Sequence, residues 1–331
     1  MENKKAKVWL LLSPAACLAA AALSLMLGSI FISPSEIWRI ITGHAAGAAS
    51  NIFLFSRVPR TAACLLAGAA LSMSGAVLQN VLANKLASPG IIGVNAGAGL
   101  GVTICCSLGI LSGWGISLTA FSFSLIAVLT ISLLARSTGA SRTTVILSGV
   151  AVNSLFNALS DALTVMDPEI GLLSMDFRVG GFSSVSYPRL IPAGILILIG
   201  AGILMTLTNE LDVLSLGDET AGSVGLNVRF YRFLFLLLAA LLAGAAVSFT
   251  GLLGFVGLIV PHFVRKITGN ESRIFLPVTA FSGAAFVTVC DLAARLIFDP
   301  YELPVGIIMS LIGGPVFIGM LLRYRKGHRH D

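Results

Sequence analysis

Nine long apolar segments constrain this chain more than any other feature of its sequence. A helix needs about 20 apolar residues to cross the roughly 30 Å of bilayer hydrocarbon, and each segment is long enough to qualify. They cover residues 8–32, 61–83, 90–111, 113–135, 143–163, 188–208, 229–249, 274–298 and 304–322. Hydrophobic residues make up 56% of the chain and charged residues only 11%, which excludes an ordinary soluble domain. The sequence therefore predicts an all-α integral membrane protein.

The distribution of cations predicts a tenth span. Lys and Arg cluster at both ends of the chain, and such clusters mark cytoplasmic ends of spans rather than a nucleic-acid surface. Nine spans would place these ends on opposite sides of the membrane. The remaining candidate is 251–265, GLLGFVGLIVPHFVR, in which Gly251 and Gly254 turn the chain back and Pro261 fixes or kinks the far end. We therefore expect ten transmembrane helices, a short eighth one, and both termini in the cytoplasm.

Two connecting segments carry helix signals. Residues 211–228 fall on the cytoplasmic side, and the acids after Gly217 favour a helix N-terminus there. Two short amphipathic helices on the membrane face are predicted, serving either as a coupling surface or as a simple connector. On the outer side, the string 33 SPSE 36 predicts a helix that runs to about Thr42.

Polar residues form a stripe within the fifth apolar segment. Asn153, Asn157 and Asp161 are spaced by four residues and share one helix face. Polar groups are too costly in lipid to face it, so the stripe faces other helices or water. It predicts either a translocation path or hydrogen bonds between helices. In the second segment, Gly68 and Gly75 predict close approach of another helix backbone.

The sequence lacks the motifs of an energy source or an active site. No phosphate-binding loop of the form GxxxxGK[ST] occurs, so energy for uphill transport would enter through a partner. His262 has no second His or Cys at ligand spacing, which predicts no metal site. An ion- or proton-coupled secondary transporter stays an alternative, with Asp161 as its plausible carboxylate. A membrane-embedded enzyme would need a nucleophile or a metal cluster, and the sequence offers none.

Six strings in order along the chain carry a family resemblance. They are 57 RVPR 60, 84 NKLASPGIIGVNAGAGLG 101, 147 LSGVAVN 153, 214 LSLGDETAGSVGLNV 228, 254 GFVGLIVPHFVR 265 and 302 ELPVGIIMSLIGGPVFIGMLL 322. Together they resemble the FecCD-type permeases, the membrane subunits of bacterial ABC importers for iron-siderophores, haem and cobalamin. One departure is Lys85, which stands where the family has proline.

The resemblance implies a type II ABC importer permease fold of ten spans, with residues 1–331 as one permease domain in the bacterial cytoplasmic membrane. The expected partners are a second permease copy in a homodimer, a dimer of ABC ATPase subunits, and an extracytoplasmic substrate-binding protein. This chain would bind no cofactor and catalyse no reaction, because ATP and Mg²⁺ belong to the ATPase. Its cargo would be an iron-siderophore complex, or haem or cobalamin, moved by alternating access.

The resemblance also implies roles for particular residues. The outward arginines that dock the binding protein would be Arg57, Arg60 and Arg295. The cytoplasmic gate would be formed by Asn84, Leu86, Ser141, Thr143 and Thr144. The stripe of Asn153, Asn157 and Asp161 would line the translocation path. Contacts with the ATPase would come from Leu214, Leu216, Gly217, Asp218, Glu219, Ala221 and Gly225.

Overall fold

The computed structural model describes residues 2–28, 30–44, 47–137, 142–297 and 301–327, which form fifteen α-helices and one π-helical segment, Phe53–Arg57. The first helices are α1 Glu2–Met26, α2 Pro34–Ile41, α3 Ala48–Ile52, α4 Val58–Val81, α5 Val94–Ser107, α6 Gly113–Ser137, α7 Arg142–Met166 and α8 Pro168–Val179. The others are α9 Tyr187–Thr206, α10 Thr208–Ser215, α11 Asp218–Ser223, α12 Val228–Thr250, α13 Val256–Thr268, α14 Ser272–Leu296 and α15 Val305–Gly327. The described residues contain no strand, so the all-α prediction is confirmed.

Helix length and composition confirm a membrane protein with many spans. In the described part of the chain, 7 stretches are long and apolar enough to cross a bilayer: one within α1, the continuous stretch Ala48–Val81, one within α6, and helices α7, α9, α12 and α14. Two shorter apolar helices, Val94–Ser107 and Val305–Met320, accompany them. With α13 these helices number ten, but α5 and α13 are short for a crossing, so the count of ten transmembrane helices stays a prediction.

Helix α13 occupies the segment predicted as a short eighth span. The chain reverses after α12 at Gly251, which has φ 70°, and Phe255 also adopts a left-handed conformation at φ 67°. The helix runs from Val256 to Thr268, after the turn that Gly251 and Gly254 predicted, so the helical part of the segment begins later than residue 251. Its 13 residues rise about 20 Å, too little for the whole hydrocarbon layer. The first six residues are all buried, so other parts of the protein, rather than lipid, surround the N-terminal end of the helix.

Helix α4 lies at the centre of the fold and receives α13 and α14 at glycine positions. A Cβ atom added to Gly75 would lie 1.8 Å from the carbonyl oxygen of Gly257 in α13. One added to Gly68 would lie 2.3 Å from the carbonyl oxygen of Gly283 in α14. Both values are far below van der Waals contact, so a side chain at either position would push the helices apart. The prediction that Gly68 and Gly75 allow close backbone approach is confirmed.

The third predicted span is shorter than the sequence suggested. Residues 90–111 are mostly apolar and uncharged, yet α5 covers only Val94–Ser107. The preceding residues form successive turns, and Gly93 adopts φ 84°, a conformation that a helix interior does not contain. Hydropathy does not register such a backbone change, because the apolar character continues through it.

Two helices outside the main spans are also present. Helix α2 begins after Ser33, whose hydroxyl accepts a hydrogen bond from the Glu36 backbone at 3.3 Å, as the capping signature predicted. Helix α8 was not predicted. Its start carries a clear signal, since Asp167 caps the helix through the Glu169 amide at 3.0 Å and Pro168 occupies the first turn.

Candidate transport path and its two polar ends

The polar stripe of α7 lines a cavity of about 580 Å³. The opposite wall comes from the start of α5, where Asn95 and Gly99 lie, and Arg178 of α8 completes the lining. Asn157 and Asp161 are exposed to this space, and Asp161 lies 4.0 Å from the Arg178 guanidinium with 70% of its side chain exposed. The three residues of the stripe therefore share one polar cavity.

Asn153 differs from the other two residues of the stripe. Its side-chain amide donates to the Gly90 carbonyl at 2.8 Å and lies 3.4 Å from that of Ile91. These bonds satisfy backbone oxygens in the turns before α5, and those oxygens accept no hydrogen bond of a helix. Asn153 thus fixes the cavity wall, whereas Asn157 and Asp161 are available to solvent or cargo. Their function as a translocation path stays a prediction.

One end of the helix bundle carries a buried ion cluster, here called the Asp291 cluster, of Arg60, Asp291, Arg295 and Glu302. Asp291 is fully buried between two guanidinium groups: Arg60 donates to both carboxylate oxygens at 3.0–3.2 Å, and Arg295 Nε lies 3.1 Å from Oδ2. Arg60 also donates to Glu302 at 2.7 Å, and the Glu302 side chain is 47% exposed. The cluster ties α4 to α14 and to the segment before α15.

Arg57 and Arg295 hold the end of α1. Arg57 donates to the backbone oxygens of Leu25, at 3.1 Å, and Ile30. Arg295 donates to the Ser24 hydroxyl at 2.8 Å. Both arginines satisfy groups at a helix C-terminus, where the dipole also favours a cation.

The expectation of outward arginines was wrong for these two residues, which are 4% and 6% exposed. Arg57 and Arg295 hold contacts within the chain, as the preceding geometry shows. Arg60 has 12% of its side chain exposed and reaches the surface beside Glu302. Docking of a binding protein by these arginines stays a prediction, and the geometry favours Arg60 for it.

The opposite end of the bundle carries a second group of charges, here called the Asp218 cluster, of Arg142, Asp218 and Arg232. Asp218, the first residue of α11, accepts from Arg232 of α12 at 2.5 Å and lies 3.3 Å from Arg142 of α7. Arg142 also donates to the Leu214 carbonyl at 3.0 Å. The cluster therefore fastens the short helices α10 and α11 to two long ones.

The segment predicted to couple to an ATPase does form two short helices, α10 and α11. Its named residues divide into two groups. Leu214 and Ala221 are fully buried and hold the helices to the bundle, whereas Leu216 is 68% exposed and Glu219 is also exposed. Gly217 and Gly225 adopt φ 118° and 87° and bracket α11. A partner would thus meet Leu216 and Glu219, and contact with an ATPase stays a prediction.

Asp212 of α10 was not identified from the sequence, although it links this segment to α14. Its two carboxylate oxygens accept from the Ser272 backbone amide at 3.1 and 3.2 Å and so cap α14 from another helix. Burial raises the pKa of Asp212 above its ordinary value, while the bonds from Ser272 act in the opposite direction. No local pattern signals this contact, because its partner lies 60 residues away.

The predicted gate residues lie in two loops. Asn84 closes a tight turn by accepting from the Leu86 amide at 2.9 Å, and Ala83 before it adopts φ 45°. Thr143 is exposed in the first turn of α7, next to the half-buried Thr144. Ser141 lies outside the described residues. The role of these residues in gating stays a prediction.

Comparison with known proteins identifies the family. The model of the FecCD transport family matches residues 16–323, almost the whole chain. The chain belongs to the FecCD transport family. It is 34% identical over 307 residues to the hemin transport system permease protein HmuU of Yersinia pestis, a match that covers 91% of each chain. It is 38% identical over 271 residues to the cobalamin import system permease protein BtuC of Halobacterium salinarum, covering 82% of this chain and 73% of that one.

A solved structure of a metal-chelate type ABC transporter in an inward-facing conformation matches the fold with a TM-score of 0.84 and 28% identity. The alignment covers 95% of this chain and 98% of that chain. The FecCD member described here is thus a multi-pass membrane protein with an ABC importer permease fold, and it is the membrane component of a transporter. Among its described residues, no three His, Cys, Asp or Glu side chains gather in a group able to hold a metal ion.

Proposed function

We propose that this FecCD permease works as a homodimer that imports a metal chelate across the cytoplasmic membrane by alternating access. An ABC ATPase dimer, which binds ATP and Mg²⁺, would act on α10 and α11 from the cytoplasm. A substrate-binding protein would deliver cargo to the opposite end, beside Arg60. Both termini then lie in the cytoplasm.

The open cavity of α7 is the observation that carries this proposal. Asn157 and Asp161 are exposed on a membrane-spanning helix, where contact with lipid would cost several kcal/mol for a carboxylate. A second copy facing this side would enclose the two stripes in one polar path. That arrangement supports a homodimer with the path between the copies.

The chemistry of the cavity suits a chelate with many oxygen atoms. Asparagine amides both donate and accept hydrogen bonds, and Arg178 adds a cation for an acidic group. The relatives are named for hemin and cobalamin import, and the structural neighbour is of metal-chelate type. We favour an iron-siderophore as cargo, with haem and cobalamin as the other two members of the class.

The test is ATP hydrolysis in liposomes that contain the permease with its co-expressed ATPase and binding protein. Ferric siderophores, haem and cobalamin are presented in turn, and transport of each is measured alongside hydrolysis. We expect one loaded binding protein to stimulate hydrolysis and drive uptake of its own cargo.

Asn157→Trp places a bulky side chain in the path and should abolish uptake. Leu198→Trp is the matched control, because Leu198 is 65% exposed on α9, away from the cavity lining, and should leave uptake unchanged. Uptake driven by a proton gradient without any ATPase, and lost in Asp161→Asn, would instead establish a secondary transporter.

A further inference from the structure

A second cavity, of about 530 Å³, opens between the ends of three helices near the Asp218 cluster. Its walls are the last turns of α6, the first turn of α7 and the first turns of α12. These ends all lie on the side of α10 and α11, which is the cytoplasmic side in the proposed orientation. We call this cavity the α6–α12 crevice.

The crevice is apolar and open to its surroundings below its mouth. Leu133 of α6 is 65% exposed, and Phe230 and Phe233 of α12 are 54% and 43% exposed. All three belong to helices that are long and apolar enough to span a membrane, so their exposed surface suits contact with acyl chains. An elongated apolar ligand from the bilayer fits this wall.

The mouth of the crevice is cationic. Arg229 is exposed in the first turn of α12, about one turn above Phe233, and forms no ion pair with any described residue. Arg232 also lines the crevice, and Arg142 lies near it through their shared partner Asp218. Arg142 and Arg232 share Asp218, and Arg229 adds an exposed cation that lines the same crevice, so positive charge is present at the level of the headgroups.

The crevice has a cation at its mouth and aromatic side chains deeper inside. This order matches the charged headgroup and the acyl chains of an anionic phospholipid. Basic pockets between transmembrane helices on the cytoplasmic side suit anionic headgroups. We propose that the α6–α12 crevice binds one anionic phospholipid of the inner leaflet, with its phosphate at Arg229 and an acyl chain along Phe233 and Leu133. The leaflet assignment rests on the orientation under the proposed function.

Such a lipid would lie next to a residue that contacts α11. Arg232 lines the crevice and holds Asp218, the first residue of α11. A phosphate near Arg232 would compete with Asp218 for that guanidinium and change the hold on α11. Anionic lipid is therefore expected to alter the coupling of hydrolysis to transport, as well as to bind.

The test places an indole in the crevice and measures its quenching by brominated lipids. Phe233→Trp is made in a chain whose native Trp9, Trp38 and Trp114 are changed to Phe, and the assembled importer is reconstituted in phosphatidylcholine. We expect brominated phosphatidylglycerol to quench at about fivefold lower mole fraction than brominated phosphatidylcholine, the ratio for one cation near an anionic headgroup. Arg229→Gln should remove that preference.

Arg273→Gln is the matched control, because Arg273 is an exposed arginine at the same end of the bundle that does not line the crevice. It should keep the fivefold preference. Equal quenching by both lipids, or a preference that survives Arg229→Gln, overturns the proposal. Displacement of the brominated lipid by millimolar inorganic phosphate would also overturn it, since the site would then serve a soluble anion.

A second measurement avoids the introduced indole. Native mass spectrometry of the wild-type importer should retain phosphatidylglycerol, and Ser132→Phe, which fills the crevice from α6, should reduce the number retained. Retention that is unchanged in this variant contradicts the site. Lipid binding is read without transport, so its failure would leave the proposed importer function standing, and the reverse also holds.

Discussion

Substitution of Asp291 by Asn tests whether the Asp291 cluster is primarily structural. Asp291 is fully buried, and its carboxylate is the shared partner of Arg60 and Arg295. Asparagine has nearly the same shape, so the change removes the negative charge with little effect on packing. Two guanidinium groups then lie close together without their common anion.

The expected magnitude follows from burial. Removal of one partner of a buried ion pair costs about 3–5 kcal/mol, because the other charge is left uncompensated. Arg295 is 6% exposed and cannot turn to water, while Arg60 keeps Glu302 as a second partner. We therefore expect Asp291→Asn to lower the free energy of unfolding by about 3 kcal/mol, the lower end of that range.

The assay is unfolding of the purified permease in mixed micelles, titrated with a denaturing detergent and followed by circular dichroism. Glu302→Gln is the matched control in the same cluster, because its carboxylate is 47% exposed and its pair with Arg60 is worth about 1 kcal/mol at most. A loss below about 1 kcal/mol for Asp291→Asn would refute the reasoning and show that the arginines do not depend on this carboxylate.

Three further predictions concern docking, packing and pH. Glu302→Gln frees one side of Arg60, so affinity for the binding protein should rise up to about fivefold, measured by biolayer interferometry; an unchanged or weaker affinity contradicts a docking role for Arg60. Gly75→Ala forces α13 away from α4, since its Cβ would lie 1.8 Å from a backbone oxygen, and should lower the thermal midpoint by an amount equivalent to about 1–3 kcal/mol. Gly202→Ala, with open space around it, should not, and equal effects of both would argue against the close approach. Burial raises the pKa of Asp212, so the folded state binds its proton more tightly than the unfolded state; stability from this group is present below pH 3.8 and falls as pH rises through the raised value. Asp212→Asn should remove that fall in thermal unfolding scans from pH 3.5 to 7, and an identical pH profile in both proteins would disprove it.

The sequence alone determined the class of protein and most of its helices. Apolar segments of about 20 residues can satisfy their backbone groups in lipid only as helices, so composition and length suffice for that inference. The stripe of Asn153, Asn157 and Asp161 could also be placed on one helix face from the sequence, because the spacing of residues along a helix is local. Local capping residues located α2, and those before α8 would have located it as well.

The tertiary structure decided which polar residues are free and which are used within the chain. Arg57, Arg60 and Arg295 look alike in the sequence, yet the fold buries the first and third against α1 and leaves the second near the surface. Their partners lie as many as 271 residues away, and no local pattern encodes such contacts. The contacts of Asp212 with Ser272 and of Asp218 with Arg142 and Arg232 likewise join separate helices. Local periodicity fixes what each segment becomes, whereas the roles of its charges depend on which distant helix ends the packing brings together.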